Sequence, residues 1–306
     1  MQRAYISKLL ELAEKDKAVL HLLADSGTGF DEMFRRNFPE QMYNFGIAEE
    51  HMVAAAAGMA TAGKIPFVYT AGAFLAYRAY EFIRDDICFQ NLNVKVVGMG
   101  SGLAWSTLGP SHHTTEDVAV LRALPNLRIL SPATPNETAA CAELAYEHRG
   151  PVYIRIGMNN EKEFFETDHT VAFGKNQILR TGEDVAIFST GSILAEVWEA
   201  AELLEKEGFH AGVINVASIK PFDEESVIQM AQSAKLLVTV EEHSIYGGLG
   251  GIVSEIVAEA GIGARVVRIG LSDRFAISYG THADVRAANG LDAQSIYRRI
   301  AEVCHE

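Results

Sequence analysis

Short apolar runs, each followed by a stretch of helical character, recur along this chain from end to end. The runs at 19–25, 42–47, 65–70, 94–100, 128–131 and 152–156 read as buried strands. The stretches at 30–38, 49–62, 74–87, 115–124 and 136–148 read as the helices around them. Strands alternating with helices form a mainly parallel sheet covered on both faces. The polar segment 157–183 reads as a connection, after which a second series begins. Its strands are expected at 184–190, 211–216, 236–240 and 265–269, with helices at 192–208, 223–234, 247–260 and 292–304. The expectation is therefore an α/β protein of two domains, each a mainly parallel sheet with helices on both faces. The first domain covers 1–160, a linker 161–182, and the second domain 183–306. A length of 306 residues suits two domains of ordinary size.

Composition narrows what such a chain can do. A formal net charge of −14 argues against a nucleic-acid or anionic-membrane surface. No apolar run is long enough to span a bilayer, and 1–17 reads as an amphipathic helix with acids in it rather than a signal peptide. Cys88, Cys141 and Cys304 are odd in number and far apart, which suits reduced thiols in the cytoplasm and neither a disulfide framework nor a metal site.

In open sheets of this kind, ligands bind outside the carboxyl ends of the strands. Asp25, Glu49, Gly72, Gly100 and Arg155 fall at or just past those ends and should share one edge. Glu49 opens a helix of small residues, Ala54 to Gly58, which lets a backbone or flat ligand approach and leaves the carboxylate little water. Glu49 and Glu50 equally suit a helix N-terminus with no further role. Phe74, Tyr77 and Tyr80 repeat at intervals of three and would line one helical face, as a core stripe or as the wall for a flat heterocycle. Gly109-Pro110-Ser111-His112-His113-Thr114 is a turn-rich loop whose adjacent histidines lack the spacing of a metal pair on a helix. Gly247-Gly248-Leu249-Gly250-Gly251 opens a helix and suits either a phosphate or close backbone packing.

Gly46-Ile47-Ala48-Glu49-Glu50-His51 resembles the Gly-Ile-Ala-Glu-Gln-His segment of the transketolase family, which includes 1-deoxyxylulose-5-phosphate synthase and the β-subunits of 2-oxoacid dehydrogenases. The resemblance runs from about Asp25 onward through the pyrimidine-binding domain and the C-terminal domain of that family. It implies thiamine diphosphate as cofactor, with Glu49 as the catalytic contact to N1′ of the aminopyrimidine. It also implies Phe74 stacked on that ring, and Tyr77, Tyr80 and Asp25 at the same cofactor site. The Gly-Pro-Ser-His-His loop is similar to the family's Gly-Pro-Thr-His-Gln, which makes His112 a catalytic and substrate contact, with Arg155 a further substrate candidate. Glu241-Glu242-His243 with the glycine run after it resembles the family's third domain, where it mostly builds subunit contacts.

Departures accompany the likeness. Leu108 stands where the family commonly has an Asp that reads a sugar hydroxyl. Gly100 stands in place of a phosphate-contacting His, and Met158 in place of a phosphate-contacting Arg. The chain also lacks the Gly-Asp-Gly motif that holds Mg²⁺ and the diphosphate. The resemblance thus implies the C-terminal subunit of a split transketolase, with two copies of each chain and Mg²⁺ held by a separate N-terminal subunit. Its substrates would be sugars or sugar phosphates exchanging a two-carbon ketol unit. The alternatives are acyl transfer like that of a 2-oxoacid dehydrogenase β-subunit, or a non-catalytic scaffold.

Overall fold

The computed structural model describes all residues except 26–28, 30 and 160, and the side chain of Asp31 also lies outside the description. The loop expected at 26–29 and the start of the helix at 30 therefore fall largely outside the described residues.

The first sheet takes six strands from the first half of the chain. They are β1 (Val19–Leu23), β2 (Met42–Asn44), β3 (Ile65–Ala71), β4 (Lys95–Met99), β5 (Arg128–Leu130) and β6 (Val152–Ile156). The second sheet is built from β7 (Gln177–Arg180), β8 (Val185–Thr190), β9 (Ala211–Asn215), β11 (Leu236–Ser244) and β12 (Arg265–Leu271), in the order β12-β11-β8-β9-β7. Between β9 and β11 the chain returns to the first sheet, where β10 (Ser218–Lys220) pairs antiparallel with β5. The first sheet therefore runs β10-β5-β6-β4-β3-β1-β2. All pairings are parallel except β10 with β5 and β7 with β9.

Strand periodicity fixes which helices cover which face. On β3, Phe67 and Tyr69 pack with Tyr5, Leu9 and Ala142 from the Gln2–Lys15 and Pro135–Glu147 helices. Val68, pointing the other way, joins Met52, Val53 and Ala56 of the Glu49–Thr61 helix. That second layer continues into the other half of the chain, because Phe188, Ile214, Leu249 and Val253 belong to the same buried cluster. The outer face of the second sheet is closed by Val197, Ala201 and Leu204 against Ile296, Ile300 and Val303 of the Ala293–His305 helix.

Four details differ from the sequence reading. The expected linker contains β7, whose partner β9 lies far along the chain. Strand β10 is an addition, only three residues long and antiparallel to its neighbour. A short helix, His282–Ala288, sits in a stretch to which the sequence reading assigns no element, started by a capping box between Thr281 and Asp284. The helix expected at 74–87 is broken into π turns at Phe74–Arg78 and Ile83–Cys88 around a short α segment, Tyr80–Phe82.

Candidate functional site

The carboxyl ends of β1 to β4 bring Asp25, Glu49, Phe74 and His112 to the wall of one cleft of about 420 Å³. Gln2, Met99, Trp105, Leu108 and Met158 also line it. Asp25 lies just past β1 in the left-handed region, at φ +48°, a conformation that Asp tolerates better than most residues. Its backbone N–H donates to Asn44 Oδ1 at 3.2 Å, and Gly46 N–H donates to the same oxygen at 2.9 Å. One side chain thus ties the end of β1 to the turn that precedes Glu49.

Glu49 begins its helix with a carboxylate that is only 2% exposed. Arg78 Nη1 donates to Oε2 at 2.6 Å, while Oε1 takes no hydrogen bond from the described residues. The Arg78 guanidinium also lies over the Phe74 ring, 5.0 Å from its centroid, and is 42% exposed. Arg78 therefore belongs to the site, although the sequence reading does not single it out. The signal is a cation four residues beyond Phe74, on the side of the turn that faces the acid.

The π turn explains why Tyr77 and Tyr80 do not join Phe74. Hydrogen bonding from i to i+5 widens the turn, so residues three apart no longer share a face. The Tyr77 hydroxyl donates to Glu116 Oε2 at 2.8 Å and accepts from Glu116 N at 2.9 Å. Burial, then Asp117 and Glu116, raise its pKa far above that of a free phenol. The Tyr80 hydroxyl donates to the Val120 carbonyl at 3.3 Å. Neither hydroxyl is turned toward the residues that line the cleft of this chain, where the sequence reading expects both tyrosines at the cofactor site.

His112 stands over Phe74, with ring centroids 5.0 Å apart and an interplanar angle of 68°, and Trp105 lies 6.0 Å from it on a similar edge. Its Nδ1 lies 3.0 Å from Ser111 Oγ. The neighbouring His113 is turned inward and 3% exposed, and burial lowers its pKa. Gly100 has φ +76°, and a Cβ there would meet Trp105 Nε1 at 2.1 Å. The indole therefore fills the space in which a side chain at residue 100 would stand. Among the described residues, no group of three or more His, Cys, Asp or Glu gathers as a metal site would need.

Arg155 is the second correction. It points into the protein with its side chain 2% exposed. Nε donates to both Asp117 oxygens, at 3.1 and 2.9 Å, and Nη2 donates to the carbonyls of Thr114 and Glu242, each at 2.9 Å. Tyr153 completes the cluster with a 2.8 Å bond from its hydroxyl to Asp117 Oδ2. The guanidinium has no route to a sugar because it fastens the two halves of the chain together.

The glycine run at 247–251 is likewise committed within the chain. Glu241 accepts from Leu249 N at 2.7 Å and Gly250 N at 2.8 Å, so the helix N-terminus is already occupied by a side-chain carboxyl group. Glu242 and His243 build the contact between the two halves. Ser192, His282 and Arg286 surround the Glu242 carboxylate, and Ala119 N donates to His243 Nε2 at 3.3 Å.

Residues 1–161 match the family model for the transketolase pyrimidine binding domain, and residues 174–296 match that for the transketolase C-terminal domain. The chain belongs to the transketolase family. It is 34% identical to a subunit of the apulose-4-phosphate transketolase of Actinobacillus succinogenes, an alignment covering 95% of this chain and 94% of that one. It is also 34% identical to a 6-deoxy-6-sulfo-D-fructose transketolase subunit of a Clostridium species, over 99% and 94% of the two chains. A solved split-gene transketolase, an inactive β4 tetramer, superposes with a TM-score of 0.92 at 37% identity, covering 99% of this chain and 98% of that one. These relatives are subunits or split-gene chains of transketolases, and this transketolase-family chain corresponds to them over nearly its whole length.

Proposed function

We propose that the chain is the C-terminal subunit of a thiamine-diphosphate-dependent transketolase completed by a separate N-terminal subunit. The reading rests chiefly on one observation: Glu49, Phe74, His112 and Asp25, distant in sequence, line a single cleft. Family membership brings with it the expectation of thiamine diphosphate. The residues present fit the aminopyrimidine half of that cofactor. Glu49 offers a buried carboxylate with one oxygen uncommitted among the described residues, and Phe74 an aromatic ring at the cleft wall, bordered by the half-exposed Arg78. Among the described residues no group of three or more His, Cys, Asp or Glu gathers to hold Mg²⁺, and the proposal assigns the metal and the diphosphate to the partner subunit.

When bound, thiamine diphosphate supplies the electron sink that lets a ketose lose its two-carbon ketol unit. Glu49 holds a proton at N1′ of the aminopyrimidine, and Arg78 keeps the carboxylate oriented. Phe74 positions the ring. His112, on its loop beside Phe74, hydrogen-bonds the sugar oxygen next to the bond that breaks. The net reaction cleaves the C2–C3 bond of a ketose and joins the two-carbon unit to an aldehyde carbon. The donor leaves as an aldose two carbons shorter and the acceptor as a ketose two carbons longer. A complex with two copies of each chain and a place in the cytoplasm complete the proposal. Its support is the match to split-gene chains and three cysteines that are all free thiols, together with helices none of which, among the described residues, is long and apolar enough to cross a membrane.

The test is reconstitution with a Gly-Asp-Gly-bearing N-terminal subunit, thiamine diphosphate and Mg²⁺, followed by ketose–aldose exchange with a ¹³C-labelled donor. Labelled ketose should appear only with both subunits present. Turnover of pyruvate in place of ketoses would favour the 2-oxoacid dehydrogenase alternative, and no turnover would favour a scaffold. Full activity of the single chain would remove the need for a partner.

A further inference from the structure

His112 is held by its own chain before any sugar reaches it. The rings of Phe74 and Trp105 stand 5.0 and 6.0 Å from the imidazole, at 68° and 61°, so two edge-to-face contacts set the plane of the ring. The loop beneath is tightly wound, since His112 N and His113 N both donate to the Gly109 carbonyl, at 2.9 and 3.2 Å. A third contact is polar. Ser111 Oγ lies 3.0 Å from His112 Nδ1, which leaves Nε2 as the ring nitrogen that can meet a sugar oxygen.

The state of Nε2 follows from what occupies Nδ1. A neutral imidazole carries one proton, and the partner of one nitrogen decides which of the two keeps it. A carboxylate or a backbone carbonyl beside Nδ1 only accepts, which would fix the proton there and make Nε2 an acceptor. Ser111 brings a hydroxyl instead, and a hydroxyl can donate. Among the described residues, His112 Nδ1 is the one hydrogen-bonding partner of Ser111 Oγ, so the hydroxyl proton is used there.

We propose that Ser111 is the positioning residue for His112: its hydroxyl donates to Nδ1, keeps the ring proton on Nε2, and so presents an N–H donor to the sugar. The proposal rests on the ketol-transfer reading above, in which His112 touches the oxygen beside the bond that breaks. An N–H donor is the useful form at that place. The aldehyde oxygen of the acceptor gains negative charge as its carbon takes the two-carbon unit, and a fixed donor stabilises charge that develops there.

The first measurement uses the full chain labelled with ¹³C-histidine. The Cδ2 shift separates the two neutral tautomers, and the His112 signal is identified by its loss in His112→Gln. On the alkaline plateau of the titration, wild type should show the Nε2–H form. Ser111→Ala should move His112 toward the Nδ1–H form at an unchanged melting temperature. The second measurement uses the two-subunit complex with thiamine diphosphate and Mg²⁺. There Ser111→Ala should lower kcat for ketol transfer about fivefold to tenfold, the scale of one hydrogen bond, with the thiamine diphosphate Kd unmoved. Ser111→Thr, which keeps the hydroxyl, should restore the wild-type tautomer and most of the rate. An Nδ1–H tautomer in wild type, or a Ser111→Ala variant that matches wild type in either tautomer or kcat, overturns the assignment of Ser111 and leaves ketol transfer intact. Absence of transfer by the wild-type complex overturns both.

Discussion

Replacing Arg155 with Met separates a structural clamp from a substrate contact. The side chain is 2% exposed and donates to Asp117, Thr114 and Glu242, so its loss strands several groups together. Asp117, fully buried, would keep only the Tyr153 hydroxyl. Breaking a buried ion pair from one side typically costs about 3–5 kcal/mol, because the remaining charge is left uncompensated. The Glu242 carbonyl loses a donor as well, at roughly 1–3 kcal/mol if no water replaces it, while the Thr114 carbonyl keeps the Gly102 N–H at 3.0 Å. These terms overlap, and a loss of about 4 kcal/mol is the working expectation. Against a total stability on the order of 5–15 kcal/mol, that brings the chain close to unfolding. Urea denaturation followed by far-UV circular dichroism should show the midpoint falling sharply. Arg155→Lys should recover less than half of the loss, since an ammonium cannot fork across a carboxylate and reach two carbonyls. A variant within about 1 kcal/mol of wild type whose sugar KM rises tenfold would refute the clamp and restore Arg155 as a substrate contact.

Glu49→Gln in the two-subunit complex should leave assembly intact and lower kcat by about 10²–10⁴, the usual scale for a proton-handling group. Near-normal turnover, with assembly checked by sedimentation, would remove Glu49 from the mechanism. Gly100→Ala places a Cβ 2.1 Å from Trp105 Nε1 at φ +76°, and should cost roughly 1–3 kcal/mol through strain and overpacking. An unchanged melting temperature would show that the indole moves freely. Glu242 is opposed by its burial, but Arg286 and His282 outweigh that and hold its carboxyl well below the usual carboxylate range. Its folded-state pKa is thus lower than its unfolded one. The stabilisation is complete above about pH 4.3 and is lost as the pH falls below that value. Acid unfolding of Glu242→Gln should accordingly be shallower below about pH 4.3 than that of wild type, and an identical slope would refute the linkage.

The parts of this structure legible in the sequence are those set by local pattern. The buried strands β1, β3, β4, β6 and β8 announce themselves as mainly apolar runs, broken by single residues such as His21, Lys95 and Arg155, because both faces of each are covered. Glu49 and His112 stand out because they sit at strand ends and turns, where side chains project past the sheet. Strands β7 and β10 are invisible in the sequence, since each exists only through an antiparallel partner remote in the chain. The departures of Tyr77, Tyr80 and Arg155 from their expected positions share a cause. A spacing of three assumes an α-helical turn, and a strand-end position assumes that the side chain points outward. A π turn defeats the first assumption, and a buried acid thirty-eight residues away in sequence defeats the second. Arg78 escapes notice for the complementary reason: its role depends on Glu49, which reaches it only through tertiary packing.

Among the described residues, the C-terminal domain contributes none to the wall of the cleft, yet it fixes the loop on which His112 stands. Gly102 and Thr114 pair across the base of that loop. The Thr114 carbonyl is then held by Arg155, which also grips the Glu242 carbonyl, and Ser244 N donates to the Thr115 carbonyl at 2.7 Å. A Cβ on Gly109 would meet the Tyr279 ring at 2.5 Å, so that ring lies directly against the loop backbone. The ties through Arg155, Ser244 and Tyr279 lead back to β11 or to the segment following β12. A short loop with glycine and proline at its start has little rigidity of its own, because its backbone hydrogen bonds are few and local. The C-terminal half therefore acts on the chemistry by orientation: it removes freedom from a cleft histidine that no helix or strand anchors.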